Sequence, residues 1–196
     1  MTRFPASVSL ALIAIATGCN ISPARAADTT PFWIEPCTVM TTSCEAGDAD
    51  LARWALAAWE SASEGRLHFV ETRNRAQALL RVRWADKDSG LFGESVTILV
   101  SGHRGSELHI LVPEHNPKDP LMRDTVVYLT CLHESGHALG LPHTRAFADI
   151  MYNFQFGGDI DEYFGRYRRL LMTREDIRKN AGMSPADRAA LLERIR

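Results

Sequence analysis

Residues 133–143 read HESGHALGLPH, and this spacing constrains the chain more than any other feature. On an α-helix each residue advances about 100°, so His137 lies about 40° around from His133 and one turn along. Two imidazoles on one face can reach a single metal ion at roughly 2.0–2.1 Å. Glu134 flanks that face. It stands too close in sequence to be an easy third ligand, but it can reach a water on the ion. Cys131 lies about 200° around the helix from His133 and points away. A catalytic zinc takes three protein ligands and keeps one position open. A straight helix would carry His143 out of reach. Gly140 permits a left-handed backbone that reverses the chain, and Pro142 stiffens the return, so His143 can come back to the ion. His-Glu-x-x-His alone recurs in unrelated helices. With Gly140 and His143 at fixed offsets, a metal site becomes the reading the residues support.

The rest of the chain is compatible with an enzyme that leaves the cytoplasm. It has 196 residues, 45% apolar and 23% charged, a globular balance with enough length for one buried core. A net charge of −2 gives no reason to expect a nucleic-acid partner. Residues 1–26 read as a signal peptide: Arg3 at the start, an apolar Val8–Ala16 stretch, then Ala24-Arg25-Ala26 as a cleavage site. The apolar stretch falls short of the roughly 20 residues that span a bilayer, so no transmembrane helix is expected. Thr17-Gly18-Cys19 resembles the lipobox of bacterial lipoproteins, although Ala16 stands where leucine is usual. The alternatives are therefore a secreted or periplasmic protein and one anchored by lipid at Cys19. In an oxidising compartment Cys37 and Cys44, within the 27–48 segment, are expected to form a local disulfide, leaving Cys131 as an inert core thiol. The oligomeric state is not written in the sequence, and a monomer is the default.

Periodicity supplies the elements. Asp48 to Glu64 reads as a helix ended by Gly65, with Leu51, Trp54, Ala55, Ala58 and Ala62 at helical spacing. Trp54 and Trp59 read as aromatic packing against a sheet. Strands are expected at 67–72, 78–85, 94–100 and 107–113, with SGHRGS joining the last two. Asp119 caps a helix with Pro120 in its first turn, running to about 139. Thr173 and Ser184 each begin a further helix, with Asp176 and Asp187 three residues on. No internal repeat interrupts this order.

HESGHALGLPH resembles the extended zinc motif HExxHxxGxxH of the metzincin metallopeptidases. ADIMYN follows, placing Met151 eight residues beyond His143 with Tyr152 directly after it. That short gap and the Met-Tyr pair look most like the matrixin branch. The resemblance covers 49–196 in outline and 133–152 in motif. It implies an α+β metzincin-like catalytic domain: a twisted, mainly parallel sheet of four or five strands, packed helices, a zinc helix and a Met-turn. It implies a secreted zinc endopeptidase acting on peptides or proteins. One Zn2+ would be held by His133, His137 and His143, with Glu134 as general base and Met151 as an apolar floor. Tyr152, Asn153 and Phe154 would wall the substrate pocket, and the substrate would lie along the 94–100 strand. Astacin-like enzymes carry a tyrosine two places after the methionine; Asn153 stands there, and Tyr152 is not assigned as a ligand.

There are departures from the matrixin pattern. No PRCGxPD-type propeptide is present, and Cys37 lacks the flanks to mask zinc. The acids and histidines of matrixin calcium and structural zinc sites do not align; His103, His109 and His115 read as surface or edge residues. Gly157 to Arg169 is long for its place and reads as a solvated loop. Asp159, Asp161 and Glu162 give it only an unsupported capacity for Ca2+. A non-catalytic zinc-containing binding module and a zinc hydrolase of a non-peptide amide are the rival functions, though a purely structural zinc normally fills its fourth position with protein. N-terminal sequencing of the mature protein should read Ala27 onward; a blocked, lipid-modified Cys19 would replace that reading with the anchored one.

Overall fold

The computed structural model describes residues 28–38, 44–85 and 92–196; the signal-peptide and Cys19 readings lie outside them. Strands β1 (Asp28–Ile34), β2 (Leu67–Glu71), β3 (Leu80–Ala85), β4 (Gly93–Val100) and β5 (His103–Leu111) form one sheet in spatial order β2-β1-β3-β5-β4. The pairs β1–β2, β1–β3 and β3–β5 are parallel. Only β4, at the edge, runs antiparallel, because Ser101 (φ 49°) and Gly102 (φ 83°) form a two-residue hairpin turn. That turn is shorter than the six-residue joint expected from the sequence: Arg104 to Ser106 already belong to β5, with Gly105 lying against the Leu79 backbone. Along β3, Leu80, Val82 and Trp84 are buried while Arg81 and Arg83 take the other face.

β1 went unforeseen: the sequence reading of 27–48 rests on its cysteines alone, and Pro31 disfavours an interior strand. The register resolves this. β1 pairs with β2 through Asp28–Phe32, but meets β3 only from Phe32 onward. Pro31 therefore precedes the β3 ladder, its missing N–H removes no rung there, and its carbonyl accepts Leu79 N–H at 2.9 Å.

Among the described residues four α-helices complete the fold: α1 (Asp48–Ala62), α2 (Pro120–Ala138), α3 (Ile160–Arg168) and α4 (Pro185–Arg194); the helix expected after Thr173 is a short 3-10 segment, Arg174–Arg178. α1 packs on α2 and β2, and α2 on β4 and β5. Trp59 is fully buried, but it faces α2 more specifically than the sheet expectation allowed: its indole N–H donates to Leu132 O at 2.9 Å and Ser135 Oγ at 3.0 Å. Trp54 is half-buried beneath the guanidinium groups of Arg174 and Arg178. α2 begins as its sequence demands, with Asp119 Oδ1 accepting Met122 N–H and Pro120 at the first turn. Ahead of α1, a disulfide joins Cys37 and Cys44; Cys131 is a buried free thiol.

The solvated loop expected over 157–169 is instead α3. Asp159 caps it through Glu162 N–H at 2.9 Å, and Tyr163, Phe164 and Tyr167 are buried, with α2 beside the helix. Two of the three acids there are engaged in the fold: Asp159 in the cap and Glu162 on Arg169. No helix among the described residues is long and apolar enough to cross a membrane.

α1 and α2 are riveted by a buried bidentate pair, Arg123 Nη1 and Nη2 to Asp48 Oδ1 and Oδ2 at 2.7 and 2.8 Å. Their side chains are 3% and 1% exposed. Removing Asp48 leaves the buried guanidinium with only the exposed Glu45 carboxylate at 3.3 Å, so Asp48→Ala should lower unfolding free energy by about 3–5 kcal/mol in urea denaturation.

Candidate active site

α2 ends in a Schellman turn. Leu141 N–H donates to Gly136 O at 3.0 Å, Gly140 N–H to His137 O at 2.9 Å, and Gly140 takes φ +87°. The chain then doubles back to His143. Thr144 N–H donates to Met151 O at 2.8 Å and Asn153 N–H to Thr144 O at 3.3 Å, which lays the return segment beside the Met151 loop.

The three histidines converge as the sequence proposed. His143 Nε2 lies 3.0 Å from His137 Nε2 and 3.3 Å from His133 Nε2. Each ring is held by its other nitrogen: His133 Nδ1 at 2.7 Å from Ile150 O, His137 Nδ1 at 2.9 Å from Leu141 O, and His143 Nδ1 at 2.9 Å from Asn153 Nδ2. Nδ1–H donation to a carbonyl leaves Nε2 of His133 and His137 as a lone pair aimed at the cluster. Burial pulls the His133 imidazole down to about 4 against the pull of the Ile150 carbonyl, and burial likewise lowers His143. Three imidazole nitrogens crowded this closely fit a cation, and three imidazoles are the donor set of a catalytic zinc. Among the described residues no fourth His, Cys, Asp or Glu joins the cluster.

Glu134 is 5% exposed. Burial pushes its carboxyl up to about 7, with the negative charge of Glu94 adding to the effect. Gly93, at the start of β4, makes room for it: a Cβ there would lie 2.8 Å from Glu134 Cγ and 2.6 Å from Thr130 Cγ2. Met151 sits under the helix because Gly136 has no side chain; any Cβ at 136 would overlap the Met151 sulfur.

Several supporting residues escaped the sequence reading. Asp187, read only as a first-turn acid, accepts Ile150 N–H at 2.9 Å and Ser184 N–H at 2.8 Å, tying the Met151 loop to the start of α4. Ser184 Oγ donates to Asp149 Oδ1 at 2.7 Å. Tyr163 OH donates to Asp149 O and Ile150 O at 3.2 and 3.1 Å. The Ser-x-x-Asp capping box was visible in sequence; its reach to a loop 37 residues away was not.

A cavity of about 530 Å³ opens beside the histidines. Tyr152, Asn153 and Phe154 all line it, as do Phe92 to Ser95 at the β4 edge. Ile160, Tyr163 and Phe164 of the unforeseen α3 supply much of the remaining apolar wall. Tyr152 itself is 5% exposed, its hydroxyl donating to Gly157 O at 2.6 Å.

A fold with a mainly parallel sheet, a histidine-bearing helix, a glycine reversal and a methionine loop below defines a zinc-peptidase class. The family profile Peptidase_M10, Matrixin, matches residues 37–160, so the chain belongs to the matrixin family of peptidases. It is accordingly a zinc-dependent metalloendopeptidase. Among solved structures it is similar to myroilysin, at 15% identity and a TM-score of 0.37, over 82% of this chain and 70% of that one. No curated protein sequence matches it.

Gly140 is the hinge of this arrangement. Alanine at φ +87° would be strained by about 1–2 kcal/mol. Its Cβ would also meet Arg194 Nε at 2.5 Å. Gly140→Ala should therefore lower both the urea midpoint and the affinity for Zn2+ measured against a chelating dye.

Proposed function

We propose that this chain is a secreted endopeptidase that cleaves an extended polypeptide lying beside β4, with His133, His137 and His143 holding one Zn2+ and Glu134 acting as general base. The observation that carries this reading is the meeting of three Nε2 atoms with a buried Glu134 carboxyl in a cavity bordered by a sheet edge. The ion supplies Lewis acidity toward a carbonyl oxygen and makes water more acidic. Glu134 takes the proton of the attacking water and delivers it to the departing amine as the C–N bond breaks. Outward N–H and C=O groups of β4 pair with the substrate backbone as an added strand would. Tyr152, Asn153 and Phe154, with Tyr163 and Phe164 in the same cavity wall, select an apolar side chain next to the scissile bond. Met151 gives the metal an apolar floor. The Cys37–Cys44 disulfide supports an oxidising compartment, hence secretion.

Glu134→Ala should bind Zn2+ one to one as the wild type does, yet lose roughly 10²–10⁴-fold in kcat/KM on a mixed peptide library. A zinc-loaded wild type that cleaves nothing in that library would leave the non-catalytic module or the hydrolase of a non-peptide amide instead, and full turnover by the variant would remove Glu134 from the role of base.

A further inference from the structure

Among the described residues that line the cavity, Glu94 is the one charged side chain apart from Glu134 and the histidines; no Lys or Arg stands there. Glu94 is exposed on the edge strand β4. His109, directly across on β5, gives Nε2 to Glu107 at 3.2 Å and so leaves the Glu94 carboxylate free. We propose that Glu94 is a specificity-determining residue, selecting a substrate with Lys or Arg next in sequence to the residue that fills the apolar pocket. The inference rests on the reading that the chain is a peptidase whose substrate lies beside β4.

The alternation of a strand supplies the spacing. A Cβ on Gly93 would touch Thr130 and Glu134, so position 93 faces α2. Glu94 is the next residue and takes the opposite face, which it shares with His109. A substrate added as a strand alternates in the same way. One residue turns its side chain in among Leu129, Phe154, Tyr163 and Phe164, and its two neighbours turn theirs to the face of Glu94. Side chains opposite one another on a shared face have Cβ atoms about 4.5–5.5 Å apart, well within the length of a Lys or Arg. Opposite charges so placed attract, and like charges repel. The Glu94 charge also reaches the Glu134 carboxyl, so a change at Glu94 has a general effect as well as a selective one. Only a comparison between substrates isolates selection.

The test uses the zinc-loaded full chain and a set of peptides that share one apolar pocket residue. They carry Lys, Gln or Glu at either adjacent position, and kcat/KM is read for wild type, Glu94→Gln and Glu94→Lys. Wild type should favour Lys over Glu roughly three- to thirtyfold at one of the two positions. Added salt should shrink that ratio. It should vanish in Glu94→Gln and reverse in Glu94→Lys. A ratio that survives in Glu94→Gln, whether or not kcat/KM falls for all peptides alike, would overturn the proposal. Far-UV circular dichroism checks each fold; should Glu94→Lys fail to fold, Glu94→Gln, which keeps the shape of the side chain, decides alone. Cleavage by the wild type without regard to charge defeats this proposal and leaves the peptidase standing. A wild type that cleaves none of the peptides, the neutral ones included, defeats both.

Discussion

A histidine offers a metal one nitrogen, and the partner of the other nitrogen decides where it points. Two of the three rings meet this constraint through a carbonyl acceptor: Ile150 O on the methionine loop for His133 and Leu141 O in the turn that ends α2 for His137, while His143 Nδ1 faces the Asn153 amide nitrogen past the methionine. None lies on the helix that carries the first two histidines. The geometry of the rings is therefore a property of the loops around α2, and those loops need their own support. Asp187 and Ser184 hold one side of the 149–151 stretch, and Tyr163 the other.

The positions between the ligands do as much as the ligands. Glu134 turns toward the cleft at Gly93. Ser135 turns inward, its hydroxyl donating to Cys131 O at 2.6 Å and accepting the Trp59 indole N–H. Gly136 leaves space for the methionine sulfur below. A five-residue stretch thus faces cleft, core and floor at once, which the 100° advance of a helix makes possible. α1 fixes α2 through Trp59 at this end and the Asp48–Arg123 pair at the other, so the ligand-bearing helix has little freedom to slide.

Features whose cause is local were legible in the sequence. The caps at Asp119 and Ser184, the break at Gly140, the alternation of Leu80, Val82 and Trp84, and the i, i+4 histidines are all written within a few residues of where they act. What escaped depended on distant partners. β1 is acceptable because its pairing with β3 begins only at Phe32, one residue past Pro31. α3 carries many charged residues, and its few apolar ones gain their meaning from α2 beside them; Asp159 three residues before Glu162, with Tyr163 and Tyr167 one turn apart, was the local clue. Asn153 was placed in the pocket wall, which it lines, but nothing in its neighbours foretold His143.

The unforeseen helix has a consequence for selectivity. Ile150 O accepts from two sides, His133 Nδ1 at 2.7 Å and Tyr163 OH at 3.1 Å. Tyr163 also lines the cavity, packed against the rings of Phe147, Phe154 and Phe164. The wall that would meet a substrate side chain and the carbonyl that orients a metal ligand therefore share one residue. A substitution that reshaped the cavity at Tyr163 would release a hydrogen bond on the carbonyl that aims His133. A change at the neighbouring Phe154 or Phe164, which make no such bond, could alter the pocket with the rings left in place. The physical freedom to vary specificity in this chain accordingly lies in the phenylalanines around Tyr163, while Tyr163 is bound to the metal geometry.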